Sequence, residues 1–168
     1  ENDRILYIGD GSDLDDFYRR TGKDCIVWDQ EIDCEGNVLM PGFKDAHTHS
    51  AMVAMRSFAD DMPLQEWLNT KIFPLEAKMT DQDNYDLTQL AILEYVSGGV
   101  TSIFDMYLSP KDIAQACVDM GMRCVLVSGL NKFGPALEVM EERYLSLNQM
   151  HPLITYMMGV HAEYTCSK

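Results

Sequence analysis

What most limits the folds open to this chain is a change of rhythm at Phe43, after which short apolar runs alternate with helix-length stretches. Phe43 to His47, Val100 to Phe104, Arg123 to Ser128 and Leu153 to Val160 are too short for helices and suit a pleated surface. Between them lie stretches with helical spacing and recognisable ends. Pro63 to Lys78 carries Leu64, Trp67, Leu68 and Ile72 about a turn apart, with a break expected near Pro74. Thr80 with Asp83 resembles a capping box, with Asp where Glu or Gln is usual. The helix behind it places Leu87, Leu90, Ala91 and Tyr95 on one side and stops at Gly98-Gly99. Ser109-Pro110-Lys111-Asp112 supplies an N-cap, a proline at the first helical position and an early acid, and Gly121 ends that helix. A last helix is expected from about Pro135 to Leu147.

Strands alternating with helices of this length mean right-handed βαβ units and a parallel sheet, an α/β fold. The four strands after Pro41 would form the first half of a (β/α)8 TIM barrel, which closes only with twice as many strands over roughly 250 residues. Chain beyond Lys168 is therefore expected. The rival is a complete open α/β sheet. The residues before Pro41 are less regular: Arg4 to Ile8 and Cys25 to Trp28 read as short strands, Ser12 to Arg20 as a short helix, and Asp33 to Asn37 as a turn.

The formal charge is 13 minus 27, or -14, which disfavours nucleic acid or an anionic membrane as partner because no basic patch would offset the repulsion. The five cysteines form no C-x-x-C pair and are odd in number, so free thiols in a reducing cytoplasm fit better than a disulfide framework. The apolar stretches are short and broken, none near the length that spans a bilayer. The twelve methionines read as core fillers.

His47 and His49 stand at the end of the first of the four strands. Side chains alternate along a strand, so the two imidazoles share a face while Thr48 points the other way, and both can reach one ion. Imidazole suits zinc, iron and nickel. A catalytic ion takes about three protein ligands and an open position, so the pair is only part of a site. Asp45 shares their face and could orient a ligand. His161 ends the fourth strand, where a third ligand, a substrate contact and a hydrogen-bonded histidine are all open. Asp105 ends the second strand, with a helix or loop hydrogen bond its commoner fate, and Tyr107, Tyr164 and Cys166 lie near the same rim.

The stretch Asn37-Val-Leu-Met-Pro-Gly-Phe-Lys-Asp-Ala-His-Thr-His-Ser50 closely resembles the opening of the metal-dependent amidohydrolases. The resemblance continues through Arg56 to Leu68, Ile72 to Glu76, Gly98 to Tyr107 and His161 to Ser167. It points to the branch holding methylthioadenosine/S-adenosylhomocysteine deaminases, guanine deaminase and triazine chlorohydrolases. It implies a barrel joined to a small β-sandwich built from both chain ends, so that residues 1–40 are part of the sandwich and residues 41–168 the first four β/α units. His47 and His49 become ligands of one divalent ion, zinc with iron as the alternative. Trp67, Glu76 and His161 become substrate-binding residues: the indole a flat wall, the carboxylate an acceptor for ribose hydroxyls, and the imidazole a contact to the ring. The remaining ligands and the catalytic glutamate and aspartate are expected beyond Lys168, so no catalytic acid or base lies in this stretch. Family members that bind S-adenosylhomocysteine hold its carboxylate with arginines after the third strand. Val127 to Gly134 has none, and Lys132 lacks the fork geometry.

The expected reaction of the intact protein is hydrolytic deamination of an adenosine-like nucleoside or related aminated heterocycle, with a small-molecule substrate and water as partners. A homo-oligomer is left open. Chlorohydrolase or other cyclic C–N hydrolysis uses the same machinery. A reading of another class is a non-catalytic metal-binding or structural α/β fragment. By itself the stretch ending at Lys168 is expected to be inactive.

Overall fold

The computed structural model describes residues 4–22, 28–132 and 134–166. The chain divides into two compact units, Glu1–Met40 and Pro41–Lys168. In the first, Asp10 accepts a hydrogen bond from the Ser12 amide and opens a 3-10 turn that leads into α1, Leu14–Arg20. Asp15 and Asp16 sit in its first turn and Arg19 and Arg20 in its last, complementing the helix dipole. Tyr7 and Phe17 have ring centroids 5.1 Å apart. The strand expected at Arg4 to Ile8 does not form, and of Cys25 to Trp28 only Trp28 lies within the described residues. A strand persists only where a partner takes up its backbone groups. Residues 4–8 belong to no strand of the described sheet, and Val38 and Leu39 are 86% and 88% exposed.

The second unit is a four-stranded parallel sheet in the order β1-β2-β3-β4, comprising Phe43–Thr48, Val100–Asp105, Arg123–Leu130 and Ile154–Val160. Sequential order with helical crossovers is what the alternation predicted. The helices are α2 (Leu64–Trp67), α3 (Phe73–Glu76), α4 (Asp81–Ser97), α5 (Pro110–Met120) and α6 (Leu137–Leu147). The capping box of Thr80 and Asp83 is present, and Gly121 closes α5 in the left-handed region.

Three local expectations are corrected. The chain does not break at Pro74: Leu68–Ile72 widens into a π turn that joins α2 to α3, with the Phe73 amide reaching back to the Leu68 carbonyl. Asn69 and Thr70 side chains take the Gln65 and Glu66 carbonyls at 2.6 and 2.8 Å, so the wider turn leaves those acceptors bonded. Ser109 does not cap α5; its backbone is left-handed and its hydroxyl donates to Asp81 instead. On α4 the buried residues are Asn84, Thr88, Ala91 and Ile92, whereas Leu90 is exposed. That partly polar stripe is tolerated because Thr88 Oγ1 donates to the Asn84 carbonyl and Asn84 Nδ2 to the Thr80 carbonyl.

The core lies between one face of the sheet and the helices. Ile103, Cys124, Leu126, Ile154 and Tyr156 meet Ile92, Ile113, Ala114 and Cys117 there. Hydrogen bonding to Cys117, together with burial, pushes the Cys124 thiol up, so it stays a protonated core group. All four cysteines among the described residues are free. In register, Thr48, Asp105, Leu126 and Tyr156 run across this helix-facing side. Residues one position away therefore face the other side, where Thr155 and Met157 are exposed. Among the described residues no helix is long and apolar enough to cross a membrane.

Candidate metal centre

The first two candidate ligands lie where β1 ends. Their ring centroids are 4.9 Å apart with the planes at 77°, and they stand opposite Thr48, whose hydroxyl meets Tyr95 of α4 on the helix side. His49 lies one residue past the ladder at φ -131°, ψ 74°. Its orientation is set by a hydrogen bond: Nδ1 is 2.5 Å from the Met106 carbonyl, which can only accept. The proton is therefore on Nδ1, and Nε2 carries the lone pair. That is the tautomer a ligating histidine adopts when a carbonyl fixes its far nitrogen. His47 is exposed and His49 half-buried. Asp45, considered above as an orienting group, accepts from the His47 backbone amide at 3.1 Å.

Behind the pair lies a buried network in which the sequence reading named only Asp105, expected there to make a helix or loop hydrogen bond. Asp105 accepts the Ser50 amide at 2.9 Å through Oδ2, while Oδ1 is buried with no hydrogen-bond partner among the described residues. Burial raises its pKa, opposed in part by the Ser50 hydrogen bonds. The Tyr95 hydroxyl meets both Thr48 Oγ1 and Ser50 Oγ, and burial raises its pKa as well.

Tyr107 connects the histidines to the helical stretch. Its ring centroid is 6.2 Å from that of His49, and burial together with the charge and hydrogen bond of Glu76 pushes its pKa well up. The Tyr107 hydroxyl keeps its proton and donates to Met79 Sδ at 3.7 Å. Trp67 is half-buried, donates from Nε1 to the Phe58 carbonyl at 3.4 Å, and lines an open groove of about 270 Å³ with Met55, Phe58 and Met62. The groove wall includes Ser57, Ala59 and Asp61, all left-handed, a conformation that costs non-glycine residues energy.

His161 follows β4, three strands from β1. Thr165 Oγ1 gives its one proton to the Ala162 carbonyl at 2.9 Å, so the contact from His161 Nδ1 at 3.0 Å is a donation by the ring. Gly129 lies under His161: a Cβ there would fall 2.7 Å from the His161 Cβ. Arg143 of α6 donates to Ser128 Oγ at 3.1 Å on the helix-facing side of β3. Among the described residues no third histidine, cysteine or carboxylate gathers with His47 and His49 into a cluster able to hold an ion. The pair fits two ligands of such an ion, with the others to come from elsewhere.

Residues 38–168 match the amidohydrolase family. The chain belongs to that family. It is 41% identical over 172 residues to a 5-methylthioadenosine/S-adenosylhomocysteine deaminase of Desulfitobacterium hafniense, covering 99% of this chain and 38% of the relative. A 5'-deoxyadenosine deaminase of Methanospirillum hungatei is 40% identical over 141 residues, covering 80% and 31%. The chain thus spans well under half the length of these curated relatives. Among solved structures, a zinc-bound adenosine deaminase from Xanthomonas campestris aligns with a TM-score of 0.69 at 31% identity, over 76% of this chain and 31% of that one. An atrazine chlorohydrolase from Arthrobacter aurescens complexed with zinc aligns at 0.64 and 17% identity, over 76% and 36%, which speaks to the fold alone. The four parallel strands of this amidohydrolase correspond to part of each of those structures.

Proposed function

We propose that the intact protein is a metal-dependent aminohydrolase that converts an adenosine-like nucleoside and water into the corresponding hydroxylated ring and ammonia. The observation that carries this reading is the pair of adjacent imidazoles with His49 Nδ1 committed to the Met106 carbonyl, so that Nε2 is its ligating nitrogen. A divalent ion held there, zinc in two of the similar structures, lowers the pKa of water toward neutrality. Trp67 provides an apolar wall and Glu76 accepts from the ribose hydroxyls. His161, oriented by Thr165, contacts the ring. The carboxylates that move protons during attack on the ring carbon, and the remaining ligands, belong to strands after Lys168. Residues 41–168 are then the first four units of the barrel, and residues 1–40 part of a β-sandwich.

The relatives named for thioether and deoxy nucleosides support a substrate of that class. Without an arginine from Val127 to Gly134, and with Arg143 tied to Ser128, methylthioadenosine or adenosine fits better than S-adenosylhomocysteine. The test is ammonia release by the metal-loaded intact protein from these three compounds, alongside metal analysis of the His47→Ala/His49→Ala double variant. Turnover on the first two and loss of stoichiometric metal in the variant are expected. Unchanged metal content in the variant, or no release from any adenosine-type nucleoside, overturns the proposal.

A further inference from the structure

His49 has a clamp on both of its neighbours in sequence. Thr48 precedes it and Ser50 follows it, and both hydroxyls meet the single hydroxyl of Tyr95, in the last turn of α4. The Thr48 carbonyl accepts from the Met106 amide at 3.1 Å, and the Ser50 amide donates to Asp105. Met106 thus fixes the ring through Nδ1, while Tyr95 fixes the backbone segment that carries the ring. The clamp lies on the helix-facing side of the strand, opposite the imidazoles, so Tyr95 touches neither a ligated ion nor a substrate. The ladder ends at Thr48, and Ser50 begins a 3-10 turn running to Met55. At that junction strand pairing no longer dictates which way residue 49 points. Packing alone would be served by phenylalanine, since the Tyr95 ring lies against the core cluster. The hydroxyl adds a link between residues 48 and 50 that an aromatic ring cannot make.

We propose that Tyr95 is a positioning residue for His49, its hydroxyl tying Thr48 to Ser50 so that the imidazole presents Nε2 at the angle a metal ion requires. This rests on the reading of His47 and His49 as ligands. Removing a group that orients a ligand typically weakens metal binding by about 10- to 100-fold. In the intact protein, Tyr95→Phe is expected to lower zinc affinity by that factor in competition with a chromophoric chelator, and to alter the visible absorption bands of the cobalt-substituted protein. Thr48→Val with Ser50→Ala removes the same link from the other side. It should reproduce both effects, and adding Tyr95→Phe to it should weaken binding little further. Tyr85→Phe, which deletes another α4 hydroxyl, one bonded to Asp119 of α5, is the control and should leave both readouts unchanged. Wild-type zinc affinity and cobalt bands in Tyr95→Phe overturn the clamp. If Tyr95→Phe does not fold, the same result in the Thr48→Val/Ser50→Ala variant overturns it. His49→Ala separates the two levels: full metal uptake by that variant sinks the ligand reading itself, whereas loss there with no effect of Tyr95→Phe sinks only the positioning role.

Discussion

Gly129 and Gly159 face each other in register on β3 and β4, yet alanine should act oppositely at the two positions. A Cβ at Gly129 would stand 2.7 Å from the His161 Cβ, 3.1 Å from its Cα and 3.3 Å from its N. Carbon atoms in contact settle at about 3.5–4.0 Å, so residue 161 must retreat by roughly 1 Å. Two of the three atoms met are backbone, so a rotamer change cannot relieve the clash. Overpacking of this kind costs about 1–3 kcal/mol. Against it stands a gain of about 0.4–1 kcal/mol from the reduced entropy of the unfolded chain, because Gly129 is not left-handed and accepts alanine without backbone strain. The net effect of Gly129→Ala is a loss on the order of 1 kcal/mol. At Gly159 the added carbon meets Val127 at 3.4 and 3.7 Å, ordinary contact, so only the entropic gain of about 0.4–1 kcal/mol remains. On the proposed role of His161 as a substrate contact, function should diverge further, since displacing such a group by about 1 Å can cost about 100-fold in turnover. Urea unfolding and steady-state ammonia release in the intact protein read both quantities. Equal stability and equal turnover in Gly129→Ala and Gly159→Ala would refute the packing argument and with it the placement of His161 over Gly129.

Two further outcomes follow from the same coordinates. Thr80→Ala deletes the acceptor of the Asp83 amide at 3.1 Å and should cost about 1 kcal/mol in urea unfolding, with Thr80→Ser close to wild type; equal loss in both variants would show that the hydroxyl is not the cause. Burial raises the Asp105 pKa above its unfolded value, so the native state favours the protonated form: the group's contribution to stability is full below an unfolded pKa of about 3.9 and is lost as pH rises through the folded value. Asp105→Asn can keep an oxygen toward the Ser50 amide while removing that dependence. Its stability relative to wild type should therefore climb as pH rises above about 4, and a pH-independent difference would contradict the assignment.

The strand positions were legible because four apolar runs ended at glycine, proline or polar residues, and all four strands form in chain order within a residue or two of where they were read. The helix ends were legible where a side chain closes on its own backbone, as at Thr80, and less so where a distant group competes, as when Asp81 draws the Ser109 hydroxyl away from α5. Pro74 misled for a related reason: a proline removes one amide, but nothing in its own neighbourhood announces that a π turn will absorb the change. Residues 4–8 misled because apolar content alone does not make a strand, and none is assigned there.

The histidine pair shows where period-two reasoning holds and where it stops. The alternation argument assumed a strand through His49, but the ladder stops at Thr48 and His49 takes a conformation of its own. The two rings still meet because Met106, Tyr95 and Asp105 hold the residues on either side and the ring itself. Those partners are 45 to 57 residues away in the chain, so no local spacing could have named them. Sequence separation likewise hides the influence of Glu76 on Tyr107. The motif read from sequence thus places both imidazoles together, whereas the setting of His49 is held by side chains distant in the chain. On the proposed ligand role of the pair, substitutions at Tyr95 should therefore reach the ion although Tyr95 does not touch it.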